Sequence, residues 1–353
     1  ILGGYMNSTN LIIGKINSGK TRGFLLKETN KMIDNEENIV ILDSKLEYYN
    51  AYYNKLKEKN YDILVLNLED ATKSNGYNPL QVPYQIYNQG NKDKSLELIR
   101  LLALEIFKEQ GSYDPFWENT SADYFTALVL ILFKEAKEEN VNLGSIQVML
   151  NQSCKKIDNA TVINHYLEKI DILDSIYTLS SGTVYAPSET RDSILSVMKQ
   201  KLNEYCAKEN LLNLLCTNDI NLNSINNKTA IFVIGKSKIA NIFINQLIEV
   251  IKLNKLKFSF ILDNFNSIKY LLNFKELVEN AIYYNIKLYV AIIDLDEMKN
   301  IYGNYVFNKF ENIININDNL ELTDINNKGI LPTIMPNKHT YFDFENFIKN
   351  MHL

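Results

Sequence analysis

The chain alternates between short apolar runs and amphipathic stretches in its first and last thirds. In the middle it loses the short runs. Asn10-Leu11-Ile12-Ile13 is followed by a helix-like pattern over Lys20–Ile33. Strand-like Asn38–Leu42 leads to an amphipathic Leu46–Lys59, and Asp62–Asn67 reads as a third strand. The pattern resumes at Thr229–Ile234, Ala240–Lys252, Phe258–Leu262, Phe274–Tyr284, Ile286–Ile293, Glu297–Tyr302 and Asn312–Ile316, and a short helix is expected over Tyr341–Asn350. Apolar runs separated by helices of about 10–15 residues predict βαβ units and a mostly parallel sheet. From about Ser95 to Asn213 helical spacing dominates, over Ser95–Gln110, Ser121–Glu139 with Ser121 as N-cap, Val162–Ile170, Ile172–Ser180 and Ser188–Lys208. No good strand is read there. The expected organisation is an α/β domain at 1–94 and 220–353 with an all-helical domain inserted at 95–219.

The first strand runs into Gly14-Lys15-Ile16-Asn17-Ser18-Gly19-Lys20-Thr21. This is G-x-x-x-x-G-K-T, a P-loop (Walker A) signature. Backbone N–H groups of such a loop wrap a phosphate, the helix start adds a positive dipole end, Lys20 reaches the β- and γ-phosphates, and Thr21 can ligate Mg²⁺. Gly14, Asn17, Ser18, Gly19, Lys20 and Thr21 are therefore the candidate nucleotide-binding residues, with ATP and Mg²⁺ as the expected ligands. Asn17 has to accept left-handed backbone angles, which asparagine tolerates. The second half of such a site is a carboxylate at the end of a buried strand. Asp263, closing Phe258–Leu262, fits it, so Thr21 and Asp263 are the candidate metal ligands. Asn264 follows where motor ATPases carry a glutamate; an amide can orient a water but cannot take its proton. Asp43 is a further acid near the expected site and Glu47 a weaker one.

Composition changes this picture little. A net charge of −5 gives no basic footprint of nucleic-acid binding, although a basic pore inside an acidic protein stays open. Only Arg22, Arg100 and Arg191 are arginines. Cys154, Cys206 and Cys216 form no C-x-x-C pair and His165, His339 and His352 are scattered, so neither a zinc site nor a disulfide framework is suggested. No run of 18 apolar residues exists, so neither a spanning helix nor a signal peptide is expected within the chain.

In order, these motifs resemble the coupling-protein ATPases of type IV secretion and conjugative DNA transfer. Beyond the P-loop, Leu42-Asp43-Ser44-Lys45-Leu46-Glu47 is similar to the family's D-P-K-x-E element, Tyr77-Asn78-Pro79-Leu80 to its Y-N-P-L, and Phe116-Trp117-Glu118-Asn119 to its tryptophan motif. Thr190-Arg191-Asp192-Ser193-Ile194, Ile261-Leu262-Asp263-Asn264-Phe265 and Ile301-Tyr302-Gly303 follow in the family's order. The resemblance implies a RecA-like P-loop domain with an inserted all-α domain. It also implies a hexameric ring, a relaxase–DNA or secreted-protein substrate, and secretion-channel partners. A membrane segment outside this chain, which begins Ile1-Leu2-Gly3-Gly4 just before the first strand, would hold it at the cytoplasmic face of the membrane. The family's γ-phosphate-sensing glutamine falls near Ile293, or else Glu297. The resemblance thus implies an ATPase, with Asn264 and Ile293 arguing for slow turnover. Arg191 is the candidate for a neighbour-supplied arginine, beside the simpler role of a helix-start salt bridge. Two alternatives remain: a nucleotide-binding recruitment module that barely hydrolyses, in which Trp117 contacts cargo or is simply a core aromatic, and a general RecA-like DNA translocase.

Overall fold

The computed structural model describes residues 8–108, 115–225, 228–235, 237–268, 270–316, 322–323, 325, 329–334 and 339–351. The opening Ile1–Gly4, the end of the expected Ser95–Gln110 helix and His352 lie outside them. Among the described residues there are nine strands: β1 Thr9–Ile13, β2 Ile39–Leu42, β3 Asp62–Asn67, β4 Lys156–Ile157, β5 Ala160–Thr161, β6 Thr229–Ile234, β7 Phe258–Leu262, β8 Ile286–Ile292 and β9 Asn312–Asn315. Seven of them form one sheet in the order β3-β6-β2-β7-β8-β1-β9. Every pairing in it is parallel, with Leu11 opposite Val290 and Leu42 opposite Leu262 as register marks.

The composition of the strands follows from this. A parallel sheet covered on both faces leaves no solvent side, so its central strands read as unbroken apolar runs. β2, β6 and β7 are buried at every position. Ser259, the polar residue in β7, donates its hydroxyl to Glu37 Oε2 (2.5 Å), and Lys287 Nζ donates to the same carboxylate at 2.7 and 3.0 Å. One face is covered by the helices Leu26–Asp34 and Glu47–Glu58, whose Leu26, Ile33, Tyr48, Tyr49 and Leu56 pack on Ile41 and Phe232. Helix Lys238–Asn254 is buried over most of its circumference and is capped by Ser237 Oγ, which accepts the Ile239 N–H.

The contacts fall into two compact units, Ile1–Asn75 with Ile220–Ile334, and Gly76–Asp219 with Met335–Leu353. The first crossing falls earlier than the expected residue 95, and the tail sorts with the helices. Tyr77-Asn78-Pro79-Leu80 accounts for the first difference. Tyr77 is buried, its N–H donates to Leu214 O (2.8 Å), and Asn78 Nδ2 donates to Val141 O (2.6 Å). The motif therefore fastens the start of the helical unit. In the tail, the Phe342 N–H donates to Ser145 Oγ (3.0 Å) and the Phe344 N–H to Gln152 Oε1 (2.9 Å).

Three expectations about the helical unit change. The long helix spans Phe116–Glu135, so Ser121 is not its N-cap; Pro115 precedes the first turn and Ser121 Oγ, fully buried, donates to Ile194 O (3.4 Å). Helices Gln81–Asn88 and Leu143–Ser153 add to the set. The unit also holds one two-stranded hairpin, β4–β5, turned at Asp158 with φ 55°, an angle aspartate accepts more readily than most residues. Such two-residue strands are too short to leave a period in the sequence.

Candidate functional site

Because the sheet is parallel, the carboxyl ends of β1, β2, β7 and β8 share one edge, the edge where open α/β sheets bind ligands. A cleft of about 540 Å³ opens there. Its lining includes Asn17 to Arg22, Asp43, Glu47, Tyr48, Asp263, Asn264 and Ile293. The fold thus gathers residues far apart in the chain, with β8 standing between the P-loop strand and the Asp263 strand.

The loop has the backbone its sequence requires. Asn17 sits at φ 64° and Gly19 at φ 90°. A Cβ on Gly14 would come within 2.5 Å of Ser18 Oγ and 3.0 Å of Ile316 O, so only glycine fits. The chain then enters a π-helical turn, Lys20–Leu25, ahead of the regular helix Leu26–Asp34. π-turns are uncommon and concentrate at functional sites. The first N–H groups of any helix have no intrahelical partner. Ser18 Oγ is buried without a partner in the protein. Lys20, 8% exposed, donates Nζ to Gly14 O (2.5 Å) and Lys15 O (2.8 Å), which leaves one of its three ammonium protons uncommitted. Burial holds the Lys20 amine below its ordinary pKa, against the opposing pull of Asp263. An orphan hydroxyl, a glycine with no room for a side chain and a spare ammonium proton fit the phosphates of a nucleotide.

Thr21 and Asp263 meet across this cleft. The Thr21 hydroxyl donates to Asp263 Oδ2 (2.6 Å), and so does the Tyr48 hydroxyl (2.9 Å). The Asn264 N–H donates to the other oxygen, Oδ1 (2.7 Å), with Asn264 at φ 54°. Burial pushes the Asp263 carboxyl above the ordinary carboxylate value, against these donors and the Lys20 charge. A threonine hydroxyl and a carboxylate in contact are the pair of hard oxygen donors that Mg²⁺ takes. Among the described residues no cluster of three or more His, Cys, Asp or Glu offers a different metal site.

The remaining acids turn out to be structural. Asp43 accepts the N–H groups of Glu47 and Tyr49 (both 2.8 Å), so its two oxygens start helix Glu47–Glu58. Burial drives its pKa up to about 7 despite those donors. Glu47 is paired with Arg22, 3.0 Å away. On the β8 side, the Ile293 N–H donates to Asn266 Oδ1 (2.7 Å), whose amide in turn donates to Glu297 Oε2 (2.7 Å). Glu297 is thereby engaged by Asn266 and is not among the cleft residues. Phe265 is fully buried and packs on Phe274 at 4.5 Å, so the Phe of Asp263-Asn264-Phe265 anchors the loop from below. Arg191 is not among the residues lining this cleft; it belongs to the helical unit, lines another cavity and pairs loosely with Asp192 at 3.7 Å. Trp117 is half-buried against Phe116. Tyr48 and Asn266 were invisible to motif reading, since a tyrosine inside an amphipathic helix carries no signal that it will reach a strand end.

Fold and site together define a RecA-like P-loop α/β protein with a mainly helical inserted unit. The family model for type IV secretory system conjugative DNA transfer matches residues 2–319, and the chain belongs to that family. Among solved structures it is similar to the plasmid coupling protein TrwB in complex with ADP and Mg²⁺, at 10% identity and a TM-score of 0.57 over 86% of this chain and 69% of that one. The complex of TrwB with the ATP analogue ADPNP matches at 11% identity and 0.57, with the same coverage. The unbound bacterial conjugative coupling protein TrwBdeltaN70 matches at 12% and 0.58, over 86% of this chain and 67% of that one. No curated protein matches.

Proposed function

We propose that this chain is the nucleotide-binding engine of a conjugative coupling protein, which binds ATP with Mg²⁺ and uses it to help pass DNA–protein or protein cargo toward a secretion channel. The observation that carries the reading is the Thr21–Asp263 contact, 2.6 Å, set beside the orphaned Ser18 hydroxyl and the spare proton of Lys20. The loop N–H groups, Ser18 and Lys20 would hold the phosphates; Thr21 and Asp263 would hold the metal. Mg²⁺ supplies charge neutralisation on the phosphate oxygens. Tyr48 keeps the Asp263 carboxylate turned toward Thr21, and Asn264 can align a water. No described carboxylate in the cleft is free to take that water's proton, since Asp43 caps a helix and Glu47 is ion-paired. Slow intrinsic turnover follows from this arrangement. TrwB binds ADP with Mg²⁺, ADPNP and a GTP analogue, and these ligands support the same chemistry in this cleft.

The oligomeric ring, a neighbour's arginine such as Arg191, and attachment at the cytoplasmic face of the membrane belong to the same proposal. Among the described residues no helix is long and apolar enough to cross a membrane. A nucleotide-binding recruitment module is the second reading, favoured by Asn264 at the position of the expected base. One assay separates them: ATP binding and hydrolysis by the wild type, Lys20→Ala and Asn264→Glu. Binding lost in Lys20→Ala, with turnover appearing only in Asn264→Glu, would favour the recruitment reading. Brisk wild-type turnover would overturn the recruitment reading, and a wild type that fails to bind millimolar nucleotide would overturn both.

A further inference from the structure

The helical unit contains a second cavity, of about 190 Å³, that the nucleotide chemistry does not use. It is walled by helices Phe116–Glu135, Ser175–Val184 and Ser188–Cys206 and by the β4–β5 hairpin. Two cations line it, Lys156 from the hairpin and Arg191 from the first turn of its helix. Against them stands one carboxylate, Asp192, whose side chain is 72% exposed and comes no closer to Arg191 than 3.7 Å. Exposed ion pairs of that length contribute little, so the guanidinium fork stays largely uncommitted. The neutral lining suits an anion as well. Thr183, buried at 2%, and Asn164 contribute a hydroxyl and an amide, while the Tyr124 hydroxyl is already engaged by Ser153. Thr161 Oγ1 accepts the Asn164 N–H at 3.3 Å, a bond that does not use its own hydroxyl proton. In a chain of net charge −5, a concave site with two under-paired cations is out of keeping with the average surface. Arginine's planar fork matches the oxygens of a phosphate, and lysine supplies the point charge that such sites pair with it.

We propose that this cavity binds a small phosphate-bearing anion, gripped by Arg191 and Lys156 between the hairpin and the start of helix Ser188–Cys206. The ligand is either free inorganic phosphate or the phosphate of a small monoester. This gives Arg191 a role within its own unit, in addition to the one proposed for it at a neighbour's cleft.

Cys154 lines the same cavity and is exposed, so it reports on occupancy. Cys206 and Cys216 are poor competitors, because burial pushes their thiols up to about 12 and about 11. An anion seated beside a thiol disfavours the thiolate and shields it, so alkylation slows. The measurement is the iodoacetamide alkylation rate at Cys154, read by peptide mass, in full-length Lys20→Ala protein so that the P-loop does not take the probe. Inorganic phosphate and glycerol phosphate are titrated separately, with sodium chloride at matched ionic strength as reference. The expected result is protection by phosphate or its ester at millimolar concentration, with none from chloride. The midpoint moves up by about tenfold in Arg191→Ala and several-fold in Lys156→Ala, as loss of charge-assisted hydrogen bonds predicts. Arg191→Lys, which keeps the charge and loses the fork, falls between wild type and Arg191→Ala while melting at the wild-type temperature. A lower midpoint for the ester than for free phosphate identifies a monoester as the ligand, and the reverse identifies inorganic phosphate. Equal effects of phosphate and chloride, or protection unchanged in both cation variants, would overturn the proposal without touching the nucleotide reading.

Discussion

The cleft has two unlike sides. On the P-loop side every feature suits a bound phosphate: left-handed Asn17 and Gly19, a crowded Gly14, an orphaned Ser18 and a tethered Lys20. On the strand-end side, β7 and β8 present Asp263 with three donors, then Asn264 and Ile293, neither of which can accept a proton. A pair of neighbouring strands repeats the contrast in smaller form. Asp43 and Asp263 end the adjacent strands β2 and β7, yet Asp43 gives both oxygens to a helix start while Asp263 takes the threonine expected at the metal. What an acid does is decided by the donors it meets; its place at a strand end does not decide it.

The largest expected effect tests the pair of acids. Asp43 is held at about 7, well above its ordinary value of 3.8. Between roughly pH 4 and 7 the unfolded carboxyl ionises while the folded one keeps its proton, so folding stability falls as pH rises through that window and levels off above it. At about 1.4 kcal/mol per pH unit the fall is on the order of 4 kcal/mol. Denaturant unfolding of the wild type across this range should show it, and Asp43→Asn should reduce it, leaving the smaller contribution of the likewise raised Asp263; an unchanged slope in the variant would reassign the acid. Next comes Lys20→Ala, which breaks the binding side. Nucleotide affinity should drop by about a hundredfold, or roughly 3 kcal/mol, in a titration with a fluorescent ATP analogue. Asn264→Glu repairs the strand-end side by restoring a base, and hydrolysis should rise by about a hundredfold with affinity little changed. If turnover stays flat, the deficiency lies at Ile293 or in assembly. The smallest effect is that of Tyr48→Phe, which removes one donor from Asp263. About 1–2 kcal/mol is expected, seen as a roughly tenfold higher Mg²⁺ requirement for nucleotide binding.

Much of this was legible without coordinates, and the reason is local. A P-loop is a contiguous stretch whose chemistry depends on its own backbone, so Gly14–Thr21 could be read directly, down to the left-handed Asn17. Buried parallel strands announce themselves as apolar runs, and Asp263 stood at the end of one. The pairing of Thr21 with Asp263, 242 residues apart, rested on expectation until the fold set them 2.6 Å apart. Other features had no local trace. Ser121 reads as a cap until Pro115 starts the helix a turn earlier, and the hairpin β4–β5 is too short to show a period.

The sequence alone determined the fold class, the phosphate loop and the absence of a carboxylate after Asp263, because each depends on residue type in a continuous run. Tertiary structure alone decided which polar groups are left over. It spent Asp43 on a helix, tied Glu47 to Arg22, brought Tyr48 to Asp263, and placed Arg191 in the helical unit beside Lys156. Those outcomes depend on long-range packing and desolvation, which no stretch of sequence encodes by itself.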